Sequence, residues 1–252
     1  MLFAGQTNQQ LRYDAILVEK DGFREAVADF LQQGGKGLNI TVPFKEEAWA
    51  LATTRSARAE RAGAVNTLVL DESGRHFGDN TDGAGLVRDL LHNHGTVLKN
   101  KRLLLVGAGG AARGVIEPLL EESPALLVIA NRTSEKAVEL ARLFCELGHT
   151  EGCGLGDVDG QPFDIIINAT AASLSGKVPA LPESVVTAAS WCYDMMYADK
   201  PTAFMDWAQQ LGAARCMDGL GMLVEQAAES FCLWRKVRPD TQAVINAIRG
   251  QC

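Results

Sequence analysis

The chain has 252 residues, a formal net charge of −7, 47% hydrophobic and 22% charged residues. That length suits two cores, and the balance is ordinary for a soluble globular protein. No basic patch dominates, which argues against a general nucleic-acid surface. No apolar run approaches the ~20 residues of a membrane helix, and Met1-Leu-Phe-Ala-Gly-Gln6 lacks a signal-peptide pattern.

Strands and helices alternate along the chain, the pattern of parallel sheet with crossover helices. Tyr13–Val18 reads as a strand, and Phe23–Gln33 as a helix ended by Gly34 and Gly35. Gly37–Val42 reads as a strand, Pro43 opens a helix, and Lys45–Ala52 continue it. Ala64–Leu70 predicts a strand and Asp71–Gly74 a turn. From Thr81 a helix carries Leu86, Val87, Leu90 and Leu91 on one apolar stripe. Lys99–Arg102 leads into an apolar run that stops at Gly107. Helix Ala111–Glu121, strand Leu126–Ala130 and helix Ser134–Leu147 follow. Asp164–Asn168 and Cys192–Asp194 read as short buried strands, Ala203–Leu211 as a helix and Arg215–Met217 as a last strand. Leu220–Val237 is a long helix stopped by Pro239, and Thr241–Arg249 closes the pattern. A domain boundary is expected near Thr81–Asp82, with the last two helices returning to the first domain. The six cysteines form no CxxC, and the four histidines have no metal-ligand spacing, so reduced thiols and no metal are expected.

Gly107-Ala-Gly-Gly-Ala111 follows the apolar run and opens a helix. A strand–turn–helix of this kind aims backbone N–H groups and a positive helix end at a pyrophosphate. The next strand ends at Asn131-Arg132-Thr133, with Lys136 one turn further on. NAD enzymes usually place an Asp or Glu there for the ribose 2′-hydroxyl. A neutral Asn131 beside a guanidinium instead attracts a 2′-phosphate, so the segment reads as an NADP site.

Two polar stretches in the first half are costly for a plain fold. In Asn39-Ile-Thr-Val-Pro-Phe-Lys45, Asn39 and Thr41 share a strand face. Lys45 falls in a first helical turn, the wrong sign for the helix dipole. In Gly78-Asp-Asn-Thr-Asp-Gly83, Asp82 starts a helix and has capping as its alternative role. Ala64-Val-Asn-Thr67 adds a third interruption, where Asn66 has a turn role as its alternative.

Together with Asn168-Ala-Thr170, Tyr193-Asp-Met195 and Asp218-Gly-Leu-Gly-Met222 with Gln226, these motifs resemble the shikimate dehydrogenase family of the bacterial biosynthetic type. The order matches over nearly the whole chain. The resemblance implies an α/β protein of two domains. Residues 1–81 plus 220–252 would form a mixed-sheet substrate domain, and 82–219 a Rossmann-type NADP-binding domain. It implies cytoplasmic, NADPH-dependent, reversible reduction of 3-dehydroshikimate to shikimate by a monomer or homodimer. By motif position Lys45 and Asp82 would be the catalytic pair. Asn39, Thr41, Asn66, Tyr197 and Gln226 would join them in binding substrate. Gly107, Ala108, Gly109, Gly110, Ala111, Asn131, Arg132, Thr133, Lys136, Thr170, Met195 and Gly219 would bind NADP(H). No metal, nucleic acid or membrane is implied.

The family normally opens with a strand and a Ser-x-Ser-Pro motif whose hydroxyls bind the substrate carboxylate. This sequence carries neither, so its substrate domain is expected to lack its first strand. Such a strand's buried aliphatic side chains would contribute on the order of 5–10 kcal/mol. A longer natural chain is therefore expected, with Met1 a misplaced start or an internal residue. The alternative reading is a non-catalytic or impaired NADP-binding homologue. An NAD-using quinate/shikimate enzyme is a third reading, which Asn131 and Arg132 oppose. The stretch Thr170-Ala-Ala-Ser173 also departs from the family's usual hydroxyls and glycine near the nicotinamide, so slightly weaker cofactor binding is expected.

Overall fold

The computed structural model describes residues 2–71, 73 and 75–250; Glu72 and Gly74 of the expected turn lie outside the described residues. The chain divides into two compact units, Met1–Gly85 with Val224–Cys252, and Leu86–Leu223. No described helix is long and apolar enough to cross a membrane. The five described cysteines are free thiols.

The first unit contains α1 (Leu2–Gln6), α2 (Phe23–Gln32), β1 (Gly37–Asn39), α3 (Lys45–Leu51), β2 (Thr54–Arg55), α4 (Ala57–Ala62), β3 (Thr67–Leu70), β4 (His76–Asp79) and the first turn of α5 (Asp82–Arg88). Its sheet runs β1-β3-β4-β2, antiparallel at the first two joints and parallel at the last. It is the mixed sheet the resemblance implies. Phe23, Val27, Ile40, Ala48, Ala59, Val65 and Leu68 pack as its core, and the Phe23 and Phe44 rings stack at 5.3 Å.

Tyr13–Val18 is not a strand, contrary to its largely apolar pattern. No described strand lies beside it, and a short apolar segment without a ladder partner does not make a strand by composition alone. Leu17 is 93% exposed, and side chains rather than a ladder tether the segment: Tyr13 Oη donates to Asn39 Oδ1 at 2.8 Å. The strands expected at Gly37–Val42 and Ala64–Leu70 are shorter, ending at Asn39 and beginning at Thr67. Asn39 and Thr41 therefore share no strand face. Residues 42–44 turn the chain around a cis Val42–Pro43 bond instead, and β1 gives way directly to the turn before α3.

The second unit contains β5 (Arg102–Val106), α6 (Gly110–Glu121), β6 (Leu126–Asn131), α7 (Ser134–Phe144), β7 (Thr150–Gly154), β8 (Ile165–Asn168), β9 (Trp191–Asp194), α8 (Ala203–Gln210) and β10 (Arg215–Met217). A π-turn over Asp89–Asn93 continues α5 into this unit. All six strands are parallel, in the order β10-β9-β8-β5-β6-β7. Alternation along each strand sorts side chains to opposite faces. Leu103, Leu105, Leu127, Ile129, Ile165 and Ile167 meet α6 and α7, whereas Leu104, Val106, Val128 and Ile166 meet Phe204 and Ala208 of α8. Burial on both faces is what continuous apolar strands require. The order reverses between β5 and β8, and ligands of such sheets bind at the carboxyl ends beside that switch. α9 (Leu220–Arg235) and α10 (Thr241–Arg249) complete the chain, with Val224, Val244 and Ile245 packed together.

A buried ion pair braces the approach to α5. Asp79 is 3% exposed and accepts from Ser56 Oγ at 2.5 Å, from Arg58 Nε at 2.8 Å and Nη2 at 2.6 Å, and from the Asn80 amide at 2.7 Å. Burial opposes the Arg58 charge, but the hydrogen bonds and charge of Asp79 outweigh it and hold the guanidinium above its ordinary value. Arg58→Met is expected to cost about 2–3 kcal/mol, less than a fully buried pair because the guanidinium is partly wet. The midpoint of urea unfolding measures it. Adding Asp79→Asn should recover part of the loss, and strictly additive effects would contradict the pairing.

Candidate active site

The expected catalytic and substrate residues of the first unit converge. Lys45 is the first residue of α3, after a Phe44 cap that makes no side-chain bond. Its Nζ donates to Asp82 Oδ2 at 2.6 Å, with side-chain exposures of 19% and 11%. The charge that is wrong for the helix dipole is thus held by a carboxylate. Asp82 does not cap α5. Asn80 Oδ1 accepts the Asp82 amide at 3.2 Å, which leaves the Asp82 carboxylate to its side-chain partners.

Asn66 is more than a turn residue. It is 3% exposed, and its Nδ2 lies 2.7 Å from Asp82 Oδ1, 2.9 Å from Thr81 Oγ1 and 3.4 Å from Gln226 Oε1. Its Oδ1 accepts the Thr81 amide at 2.9 Å, so the side chain is engaged within the unit rather than turned to solvent. Asn39 Nδ2 donates to Ser230 Oγ at 3.0 Å, while Thr41 is exposed in the following turn. Lys45, Asp82, Asn66 and Gln226 thus share one bonded cluster. Asn39 joins it through Ser230, and Thr41 makes no side-chain bond to it.

Sequence reasoning missed Ser230. This residue is fully buried, and its Oγ lies 2.7 Å from Thr67 Oγ1 and 3.3 Å from Thr81 Oγ1 while donating to the Gln226 carbonyl at 3.0 Å. It knits β1, β3 and α9 beneath the cluster. A single serine on a helix carries no signal of this. Trp234, one turn further along α9, donates from Nε1 to the Leu68 carbonyl at 2.9 Å and fixes the helix on β3.

The expected nucleotide residues of the second unit lie at the carboxyl end of its sheet. Gly107 has φ +113°, a value that glycine tolerates, and a Cβ there would meet Thr170 Cγ2 at 3.2 Å. Its amide donates to the Ala130 carbonyl at 2.7 Å. Gly109 caps α6 without a side-chain bond, and a Cβ at Gly109 or Gly110 would meet nothing within 4 Å. The start of α6 at these two glycines therefore borders open space, which leaves room for a pyrophosphate. At the end of β6, Asn131 Nδ2 donates to the Thr133 carbonyl at 3.0 Å and shapes the turn that carries Arg132. Arg132, Thr133 and Lys136 are exposed, and no described ion pair neutralises either cation. That donor set fits a phosphate dianion.

The departure at Thr170-Ala-Ala-Ser173 does not leave a loose loop. Thr170 Oγ1 donates to Asn168 Oδ1 at 2.7 Å, and Ser173 Oγ to Asp194 Oδ2 at 2.5 Å. Asp194, fully buried, also accepts from Thr202 Oγ1 at 2.6 Å, Asn168 Nδ2 at 3.1 Å and the Met196 amide at 3.0 Å. This hub ties the loops after β8 and β9 together and was not visible in the sequence. Met195 donates its amide to Asn168, and a Cβ on Gly219 would stand 2.2 Å from the Met195 carbonyl. Tyr197 lies in the second unit, half exposed. Among the described residues no cluster suits a metal ion.

Family models match the shikimate dehydrogenase substrate-binding domain at residues 2–68, shikimate/quinate 5-dehydrogenase at 89–189 and the shikimate 5′-dehydrogenase C-terminal domain at 219–249. The shikimate dehydrogenase (NADP(+)) of Hahella chejuensis is 57% identical over 98% of this chain and 91% of its own length. An Ael1 enzyme from Pseudomonas putida has a similar structure, with a TM-score of 0.91 at 47% identity over 98% of this chain and 90% of that one. Shikimate 5-dehydrogenase from Thermus thermophilus, solved with NADP(H) and shikimate, gives a TM-score of 0.86 at 30% identity over 99% and 92%. With the nucleotide turn and the Lys45–Asp82 cluster in place, these likenesses show that the chain belongs to the shikimate dehydrogenase family.

Proposed function

We propose that this chain catalyses the NADPH-dependent, reversible reduction of 3-dehydroshikimate to shikimate. The observation that carries the reading is the half-buried Lys45–Asp82 pair, bonded at 2.6 Å beside Asn66 and Gln226. Residues 1–81 and 220–252 form the substrate domain, which Asp82 joins at its boundary, and 82–219 form the cofactor domain.

Bound NADPH supplies the hydride for the ring carbonyl carbon. Lys45 supplies the proton to the oxygen. Its ammonium has three donors and spends one on Asp82, so another is free for the substrate oxygen. Asp82 keeps the lysine oriented toward the substrate oxygen and accepts from a neighbouring ring hydroxyl. The Lys45 side chain is partly exposed, so its Nζ then regains a proton from solvent. In the reverse direction the neutral amine takes the hydroxyl proton. Asn39, Asn66 and Gln226 bond ring hydroxyls, while Thr41 lies toward the substrate carboxylate. Backbone amides of Gly107–Ala111 hold the pyrophosphate. Asn131, Arg132, Thr133 and Lys136 hold the 2′-phosphate, and Thr170, Met195 and Gly219 flank the nicotinamide. A monomer or a homodimer is the assembly that belongs to this reading. The reading places the reaction in the cytoplasm.

The test is NADP+ reduction by shikimate, followed by NADPH absorbance. Turnover that prefers NADP+ to NAD+ is expected. Tight NADP+ binding without turnover of shikimate would refute catalysis and leave a nucleotide-binding module.

A further inference from the structure

A buried carboxylate in the second unit is used by none of the steps above. Asp89, at the start of the π-turn, is 1% exposed. Its Oδ2 accepts from Tyr193 Oη at 2.7 Å, and its Oδ1 from Asn93 Nδ2 at 2.8 Å. His94 Nε2 lies 3.5 Å from Oδ2. A Cβ on Gly221 would stand 1.9 Å from Asp89 Oδ1, so the carboxylate rests directly against the first turn of α9. The Met222 backbone also bonds the Tyr193 hydroxyl. Burial, with the Asp89 charge behind it, pushes the Tyr193 phenol well above its ordinary value, so the hydroxyl stays a donor.

Asp89 therefore joins two segments by separate contacts. Tyr193 stands two residues before Met195, and Gly221 two residues after Gly219. Gly219 packs against the Met195 carbonyl, so the two flanks touch above the tie that Asp89 makes between their stems.

We propose that Asp89 and Tyr193 are positioning residues for the nicotinamide end of the cofactor site, setting the spacing of Met195 and Gly219 through β9 and the first turn of α9. The proposal rests on the reading that Met195 and Gly219 flank the nicotinamide. It makes the pair a determinant of how the ring is presented for hydride transfer, without touching it. The adenosine end, at Arg132 and Lys136, is served by other elements.

That separation supplies the test. NADP+ reads both ends of the site, and 2′,5′-ADP reads only the adenosine end. Dissociation constants for both, with kcat, are measured on Asp89→Ala, Tyr193→Phe and the double variant. Tyr193→Phe should weaken NADP+ about fivefold and lower kcat about tenfold, since small misplacement at a reacting centre is costly, while 2′,5′-ADP changes by less than about twofold. The double variant should lose no more than the worse single one, because both break one tie. Equal weakening of both ligands, or unchanged NADP+ affinity and kcat in Tyr193→Phe, overturns the proposal. Should Asp89→Ala fail to fold, Tyr193→Phe decides alone, since its ring still fills the core. A parent chain that binds neither compound overturns the cofactor reading itself, which separates the two failures.

Discussion

Lys45→Ala is expected to lower kcat by about 10²–10⁴-fold, the usual contribution of a positioned acid–base group. NADP+ affinity should not change, because Lys45 lies in the first unit and the nucleotide residues in the second. The variant leaves Asp82 accepting from Asn66 at 2.7 Å, so the carboxylate keeps one partner and the fold should hold. A thermal melt beside the kinetics checks this. Lys45→Arg separates charge from proton transfer: a guanidinium can pair with Asp82 but does not give up a proton near neutrality. If the arginine variant recovers the substrate KM without recovering kcat, the lysine is the proton donor. If Lys45→Ala raises only KM, Lys45 is a binding residue and the acid must be sought elsewhere.

Arg132→Ala should raise the KM for NADP+ by about 10–100-fold, as loss of a charged hydrogen bond worth ~1.5–3 kcal/mol predicts. The KM for NAD+ should stay near its starting value, since NAD+ has no 2′-phosphate. The contrast follows from the exposed turn after β6, where Asn131 supports the backbone and offers no negative charge. Raising the salt concentration should weaken NADP+ more than NAD+ in the parent chain, because the contact is screened. In Arg132→Ala, Lys136 remains as the single cation, so Arg132→Ala with Lys136→Ala should nearly abolish the preference. Equal effects on both cofactors would refute the phosphate role.

The nucleotide half was legible because its rules are local. Leu103–Val106, Leu127–Ala130 and Ile165–Ile167 are continuous apolar strands, and a glycine turn must follow the first of them. β7 escaped notice because Thr150-Glu-Gly-Cys-Gly154 has no apolar alternation; pairing with β6 makes it a strand. The substrate half was legible only as interruptions. Asn39, Lys45, Asn66, Asp82 and Gln226 stand out singly, but nothing local says that they meet. The hidden supports are harder still. Ser230, Asp89 and Asp194 are polar residues with no distinguishing spacing, and their importance comes from partners as much as 191 residues away. The segment 13–18 failed in the opposite sense, since its run of apolar residues stated a capacity for pairing that no described strand meets.

The first unit is assembled from both ends of the chain, and the bond between Thr67 and Ser230 closes a separation of 163 residues. During synthesis the second unit is therefore complete before α9 has fully emerged. A ribosome-bound chain can acquire its nucleotide fold while the Lys45 cluster still lacks Gln226, Ser230 and Trp234. Contacts of such long range are slow to form. The step that brings α9 onto β3 is thus the natural late event of folding, and catalytic competence should trail cofactor binding when the denatured chain is refolded.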